Sequence, residues 1–165
     1  MEKLQNAETL IITTPLYVDG LPSQLIRILE KLQKAGRQSH KNIYVIANMG
    51  LYESRQLENL LAAIRKWCEV MGYRYKGAAA IGAGELLRVL VPKVSFGPVK
   101  PALSALKQLA KAVNDEQIIE DIYADPYPLP RSLYIACANL SWDSSARKAG
   151  MKPADLYVQL IEERQ

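Results

Sequence analysis

The sequence is poor in the residues that most often carry metal and redox chemistry: two cysteines and one histidine in 165 residues. Cys68 and Cys137 lie far apart, one inside a helical pattern and one in a small apolar run, which excludes a disulfide framework and a cysteine metal site. The histidine, His40, falls in the polar stretch Lys34 to Lys41 and is read as a solvated loop residue with no role. No apolar run reaches membrane length. The run Thr9 to Val18 is too short, is interrupted by Pro15 and carries no basic leader, so the expectation is a cytoplasmic protein without a membrane partner. A dense basic stripe is also missing. The net charge of +4 comes from Lys and Arg interleaved with Asp and Glu, which argues against nucleic-acid binding and for mild attraction to anionic ligands such as nucleotides.

What is present is ordinary globular material, 49% apolar and 23% charged, enough for one domain with a core and a short appendage. Leu10-Ile11-Ile12-Thr13-Thr14 is a short apolar, β-branched run ending at Pro15, the pattern of a strand buried on both faces. A helix is predicted to start near Pro22, to carry Leu25, Ile28, Leu29 and Leu32 on one face, and to stop near Gly36. Asn42 to Asn48 repeats the strand signature. The following loop leads into a helix with Leu57, Leu60, Leu61, Ile64, Trp67, Cys68 and Met71 at three- and four-residue spacing, capped by Gly72.

Tyr75 to Ile81 is an alanine-rich strand closed by Gly82-Ala83-Gly84, and Glu85 to Lys100 a longer loop or insertion. From Pro101 a helix displays Leu103, Leu106, Leu109 or Ala110, and Val113. The order βαβαβα implies an α/β fold with a parallel sheet, right-handed crossovers and helices on both faces. Asp125-Pro126-Tyr127-Pro128-Leu129-Pro130 is read as an extended, polyproline-like linker. Beyond it, Leu133 to Trp142 and Pro153 to Ile161 are expected to form two or three short helices, with Leu133 to Leu140 and Trp142 serving a packing or dimer surface. The division is therefore a sheet domain over 1–115 and a linker with helical extension over 116–165.

In an open parallel sheet, ligands bind at the carboxyl ends of the strands, where loops and helix N-termini gather. Three loops qualify: Thr14 to Leu21, Asn48 to Ser54, and Gly82 onward. Gly82-Ala83-Gly84 lacks the third glycine of a dinucleotide fingerprint and follows the last predicted strand, so it is read as a structural turn that can border the substrate side. Asp19 and Glu85 are charged residues at loop tips with nothing to fix their separation, and no acid pair is assigned. Trp67 and Cys68 fall on the core face of their helix, where packing explains them.

Thr14-Pro15-Leu16-Tyr17-Val18-Asp19-Gly20-Leu21-Pro22 after an apolar strand resembles the third-strand loop of flavodoxin-like NAD(P)H-dependent FMN reductases. Asn48-Met49-Gly50-Leu51-Tyr52-Glu53 followed by the Trp67-Cys68 helix, then Ile81-Gly82-Ala83-Gly84-Glu85, are similar to members with a C-terminal helical extension. The likeness spans nearly the whole chain. It implies a flavodoxin-like three-layer sandwich and an FMN-dependent oxidoreductase that takes NAD(P)H as reductant. It also implies that Thr14, Pro15, Leu16 and Tyr17 lie on one side of the flavin ring, with Asn48, Gly50, Leu51 and Tyr52 on the other. Tyr17 is open to two readings, a flavin wall and an ordinary loop aromatic. No side-chain acid or base is required for hydride transfer, which is cofactor chemistry, and none is assigned as catalytic.

The resemblance departs at the front. The family begins with a strand, a phosphate-binding loop, a helix and a second strand; here only the tail of the preceding helix is expected before the first strand. The chain by itself is therefore expected to hold FMN poorly. The edge of the first strand is expected to be apolar and covered by a partner in a homodimer or other homo-oligomer, or by the C-terminal extension. The alternative function is a non-catalytic interaction module, a truncated flavodoxin-like domain that holds no flavin.

Overall fold

In the computed structural model, which describes residues 4, 6–36, 41–90 and 97–157, the first β-branched run becomes strand β1, Thr9–Pro15. Helix α1, Ser23–Lys34, follows, then β2, Asn42–Asn48, and a single 3-10 turn, Ser54–Leu57, that runs into α2, Glu58–Met71. Gly72 ends α2 at φ 70°, a left-handed conformation that glycine adopts without a Cβ clash. The Tyr73 N–H then reaches back to the Cys68 carbonyl at 2.8 Å and the Gly72 N–H to Glu69 at 3.1 Å, which satisfies two terminal carbonyls.

Strand β3 covers Arg74–Ile81, a short helix α3 covers Glu85–Leu90, and α4 runs over Lys100–Asn114. A fourth strand, β4, Ile122–Ala124, was not anticipated. It pairs parallel with Ala79 to Ile81 of β3, and the Ile119 N–H extends that edge by donating to the Lys76 carbonyl at 2.9 Å. The sheet is all-parallel, with four strands in the order β1-β2-β3-β4. The sheet thus continues well past residue 115, because a strand of three residues with charged neighbours leaves no periodic signature and is created by its pairing.

Two hydrophobic layers flank the sheet. Leu29 and Leu32 of α1 and Leu60, Leu61, Ile64, Trp67 and Met71 of α2 pack with Ile12, Ile43, Val45, Ala78 and Ala80 on one face. Ala105, Leu109 and Ala112 of α4 pack with Tyr44, Ala79 and Ala124 on the other. The strands advance in one direction across the sheet, so the crossover through α4 has the opposite hand to those through α1 and α2, and the expectation of right-handed crossovers throughout is not met.

Expectations for β1, α4 and the proline-rich segment also need correction. β1 is not buried on both faces: Ile12 and Thr14 are buried while Ile11 is 52% exposed, because β1 is an edge strand and α4 stands over its neighbours. The sheet-facing side of α4 is Ala102, Ala105, Leu109 and Ala112, with Leu103 and Leu106 only partly buried. Tyr44 explains the exchange: its ring is fully buried under α4, and small residues there give it room. Finally, Asp125 to Pro130 is not uniformly extended; it contains a turn and a cis peptide between Tyr127 and Pro128.

The chain forms two compact units, Met1–Pro128 and Leu129–Gln165. The second unit holds one 18-residue helix, α5, Arg131–Lys148, and a 3-10 turn, Pro153–Tyr157, where two or three short helices were expected. Within that unit Ala146 is buried, while Leu133, Leu140 and Trp142 are exposed. His40, the expected helix tail at residues 1–3, residues 91–96 of the expected insertion and residues 158–161 of the last piece lie outside the described residues.

Candidate functional site

Parallel strands deliver their carboxyl ends to one rim, and the register fixes which residues meet there. Pro15 of β1 pairs with Asn48 of β2, and Asn48 with Ile81 of β3. The loops that leave these positions are therefore neighbours. The Leu16 N–H donates to the Asn48 carbonyl at 2.9 Å and the Met49 N–H to the Ile81 carbonyl at 3.1 Å, so the ladder continues one step into each loop.

A cavity of about 350 Å³ opens between them, lined by Pro15, Leu16, Tyr17, Asn48, Met49, Gly50, Gly84 and Glu85. This is at the small end of the range for ligand pockets. Pro15, Leu16, Tyr17, Asn48 and Gly50, all named from the sequence, are brought together here. The other three are not part of the lining. Thr14 is buried on the core face of β1 with its Oγ1 donating to the Pro15 carbonyl at 3.1 Å, because the two-residue strand period turns its side chain inward. Leu51 is exposed beyond the cavity, and Tyr52 is half-buried behind it, against Gly82.

Tyr17 opens a two-residue hairpin. The Tyr17 and Gly20 backbones exchange hydrogen bonds of 3.1 and 3.0 Å, with Val18 at φ 47° and Asp19 at φ 56°. These are the signs of a primed turn, a geometry rarely taken by a β-branched residue. Val18 is wholly exposed at the tip, and Tyr17 projects largely into solvent beside the cavity mouth. Asp19 stands on this tip, while Glu85, the first residue of α3, stands in the cavity wall.

The third loop contributes more than a turn. The Gly84 N–H donates to the Met49 carbonyl at 2.7 Å and the Ala83 N–H to Leu51 at 2.6 Å. A Cβ on Gly84 would stand 3.0 Å from Asn48 Nδ2, and one on Gly82 only 2.2 Å from the Tyr52 carbonyl oxygen. Glycine is required here by close approach, and the three loops form one bonded surface. Gly84 lines the cavity, in keeping with the reading of Gly82-Ala83-Gly84 as a turn bordering the site, whereas Met49 is picked out only by the interlock of the second and third loops.

Away from the cavity, a polar network binds β4 to α2. Arg65 pairs with Asp121 and, at 2.5 Å, with Glu58; Tyr75 Oη donates to Asp121 at 2.7 Å, and Tyr123 donates to Glu58. The Arg55 guanidinium lies 4.2 Å from the centre of the Tyr123 ring. Burial raises the Tyr123 hydroxyl to about 12, reinforced by the Glu58 carboxylate, so it remains a donor. On the core side of α2, burial pushes the Cys68 thiol up to about 12, which keeps it protonated and unreactive. Trp67 packs edge-on against Tyr73 with ring centres 5.4 Å apart.

Among the described residues no group of three or more His, Cys, Asp or Glu is arranged to hold a metal ion, and no helix is long and apolar enough to cross a membrane. Fold and cavity define the class as an α/β protein with an all-parallel four-stranded sheet, compatible with a flavodoxin-like sandwich, and a loop-lined pocket at the strand carboxyl ends. No family model, curated protein or solved structure matches the chain.

Proposed function

We propose that the chain is the ring-binding part of an FMN-dependent oxidoreductase that uses NAD(P)H as reductant. The observation that carries this reading is the cavity in which the Pro15-Leu16-Tyr17 wall and the Asn48-Met49-Gly50 backbone meet at the carboxyl ends of adjacent parallel strands. A flat heteroaromatic ring needs one apolar or aromatic side and a polar edge made by backbone. Pro15, Leu16 and Tyr17 supply the first, and the glycine-bearing turn at Gly50, held by Gly84, supplies the second. When bound, the flavin supplies hydride acceptance. The protein's part is to hold the ring flat and to shield one face from water. The small cavity fits the ring better than a whole phosphorylated nucleotide.

The test is to titrate the purified chain with FMN and follow flavin fluorescence and absorbance, then add NADH or NADPH and record bleaching. The same measurements are repeated on a version extended upstream. Saturable binding with bleaching in either version supports the reading, and its absence from both rejects it.

A second reading, a non-catalytic interaction module, is favoured by one feature. The open face of β1 leaves a groove of about 300 Å³ lined by Ile11, Ile46, Leu106, Leu109, Ala110, Val113 and Asn114. Among the described residues no strand pairs with the outer edge of β1, and such an edge beside an apolar groove is a template for association. A homo-oligomer that covers this edge belongs to either reading. Ile11→Lys is therefore followed both by light scattering and by the FMN titration: a module loses its assembly and binds no FMN, whereas the oxidoreductase binds FMN whatever its assembly.

A further inference from the structure

Ser54 is fully buried, and both of its donors meet one acceptor. Its backbone N–H and its hydroxyl lie 2.7 and 2.6 Å from Oδ1 of Asp125, 71 residues later in the chain. Ser54 begins the turn that leads into α2, where backbone N–H groups have no intrahelical acceptor and a local side chain normally caps them. The preceding residue, Glu53, makes no capping bond. The cap is instead a carboxylate delivered across the sheet, at the end of a helix that favours negative charge.

Asp125 is itself held. It directly follows Ala124 of β4, whose carbonyl accepts the Gly82 N–H at 3.0 Å. Gly82 touches the same loop from below: its missing Cβ would lie 2.2 Å from the Tyr52 carbonyl and 3.0 Å from the Ser54 nitrogen. Gly82, directly after β3, and Asp125, directly after β4, are thus tied to each other through the Gly82–Ala124 bond and both lie against Ser54. The loop they pin begins at Met49 and Gly50, which line the cavity.

From this convergence we infer that Asp125 is a positioning residue for the cavity: it sets how far the 49–54 loop stands from Pro15-Leu16-Tyr17, and so how tightly a flat ring is gripped. The inference rests on the flavin reading for its ligand. It identifies a residue of the site in a segment that shares no wall with the cavity.

The experiment compares the full chain with Asp125→Ala, Asp125→Asn and Ser54→Ala, reading FMN affinity and amide hydrogen exchange of residues 49–54. In Asp125→Ala, loss of a charge-assisted pair of hydrogen bonds weakens FMN binding about tenfold or more and accelerates exchange across 49–54, with β2 unchanged. The Asn oxygen accepts the same two bonds, so Asp125→Asn stays within about threefold of wild type. Ser54→Ala retains the backbone bond and falls between them, which keeps the test decisive if Asp125→Ala does not fold. Wild-type exchange at 49–54 in Asp125→Ala, or equal losses in the Ala and Asn variants, overturns the inference. Faster exchange with unaltered FMN affinity overturns its link to the cavity. If neither the wild-type chain nor its extended version takes up FMN, the flavin reading fails, and exchange at 49–54 still decides whether Asp125 positions the loop.

Discussion

The Tyr44 hydroxyl stands 2.7 Å from the Gln117 carbonyl oxygen and 3.0 Å from that of Ala112, at the point where α4 ends and the chain turns toward β4. A tyrosine buried in the middle strand of a parallel sheet thus fastens the last helix to the core. Burial, with the nearby charge of Glu116, raises its pKa and keeps the proton in place. Tyr44→Phe keeps the ring and removes the bond. The Ala112 carbonyl retains the Gln117 N–H at 2.9 Å, so the expected loss is about 1 kcal/mol, measured as a lower urea midpoint with unchanged slope.

Gly82→Ala places a methyl group 2.2 Å from the Tyr52 carbonyl oxygen, a backbone atom that cannot swing aside. The expected cost is about 2 to 3 kcal/mol. At Gly72, where an added Cβ meets open space and only the left-handed φ of 70° resists it, Ala is expected to cost about 1 kcal/mol. Thermal melts of the two variants side by side check the order; equal losses would refute the close-approach argument.

The pair Glu58 and Tyr123 carries an acid-sensitive contribution. The Tyr123 hydroxyl bond, aided by Arg65 and Arg55, holds the Glu58 carboxyl below its ordinary 4.5. A carboxyl whose folded pKa is depressed contributes stability that is present above the unfolded value and is lost as the pH falls through the folded one. Glu58→Gln is therefore less stable than wild type at pH 7, and the gap narrows as the pH falls below the ordinary carboxyl value of 4.5 and through the depressed folded one. Glu58 is half exposed, so the difference is small and needs urea titrations at several pH values. A gap that does not narrow on acidification would contradict this account.

The two thiols should separate cleanly. Cys137 is exposed and Cys68 is buried with its thiol pushed up to about 12. A chromogenic disulfide reagent at pH 8 is expected to titrate Cys137 at once and Cys68 only after denaturant is added. Rapid reaction of both in the native protein would place Cys68 outside the core.

The legible parts of the sequence were those with strong local period or punctuation. The Leu60, Leu61, Ile64, Trp67 and Met71 stripe with Gly72 behind it dictates α2 and its end, and the β-branched runs dictate β1 and β2. The three loops at the strand ends were legible for a related reason, and Pro15, Leu16, Tyr17, Asn48 and Gly50, which the resemblance set beside a flavin ring, come together among them. They follow strands directly, and parallel strands in register bring their followers to one rim. Thr14 is absent from the cavity lining because alternation along β1 turns its side chain inward. Leu51 and Tyr52 lie past the point where the loop leaves the cavity for the wall at Gly82. The alanine face of α4 was masked by its leucines, since only the bulk of Tyr44 in the facing strand makes small residues the inward ones.

Local spacing of apolar residues, prolines and glycines determined on its own that this is an α/β chain with parallel strands and a loop-lined end, because those signals act within a few residues of one another. Only the tertiary structure decided that β4 exists, that Gly82 and Asp125 meet at Ser54, and which residues of each loop face the cavity. Those outcomes depend on pairing and close approach between segments as many as 71 residues apart, and no local periodicity carries information over that separation.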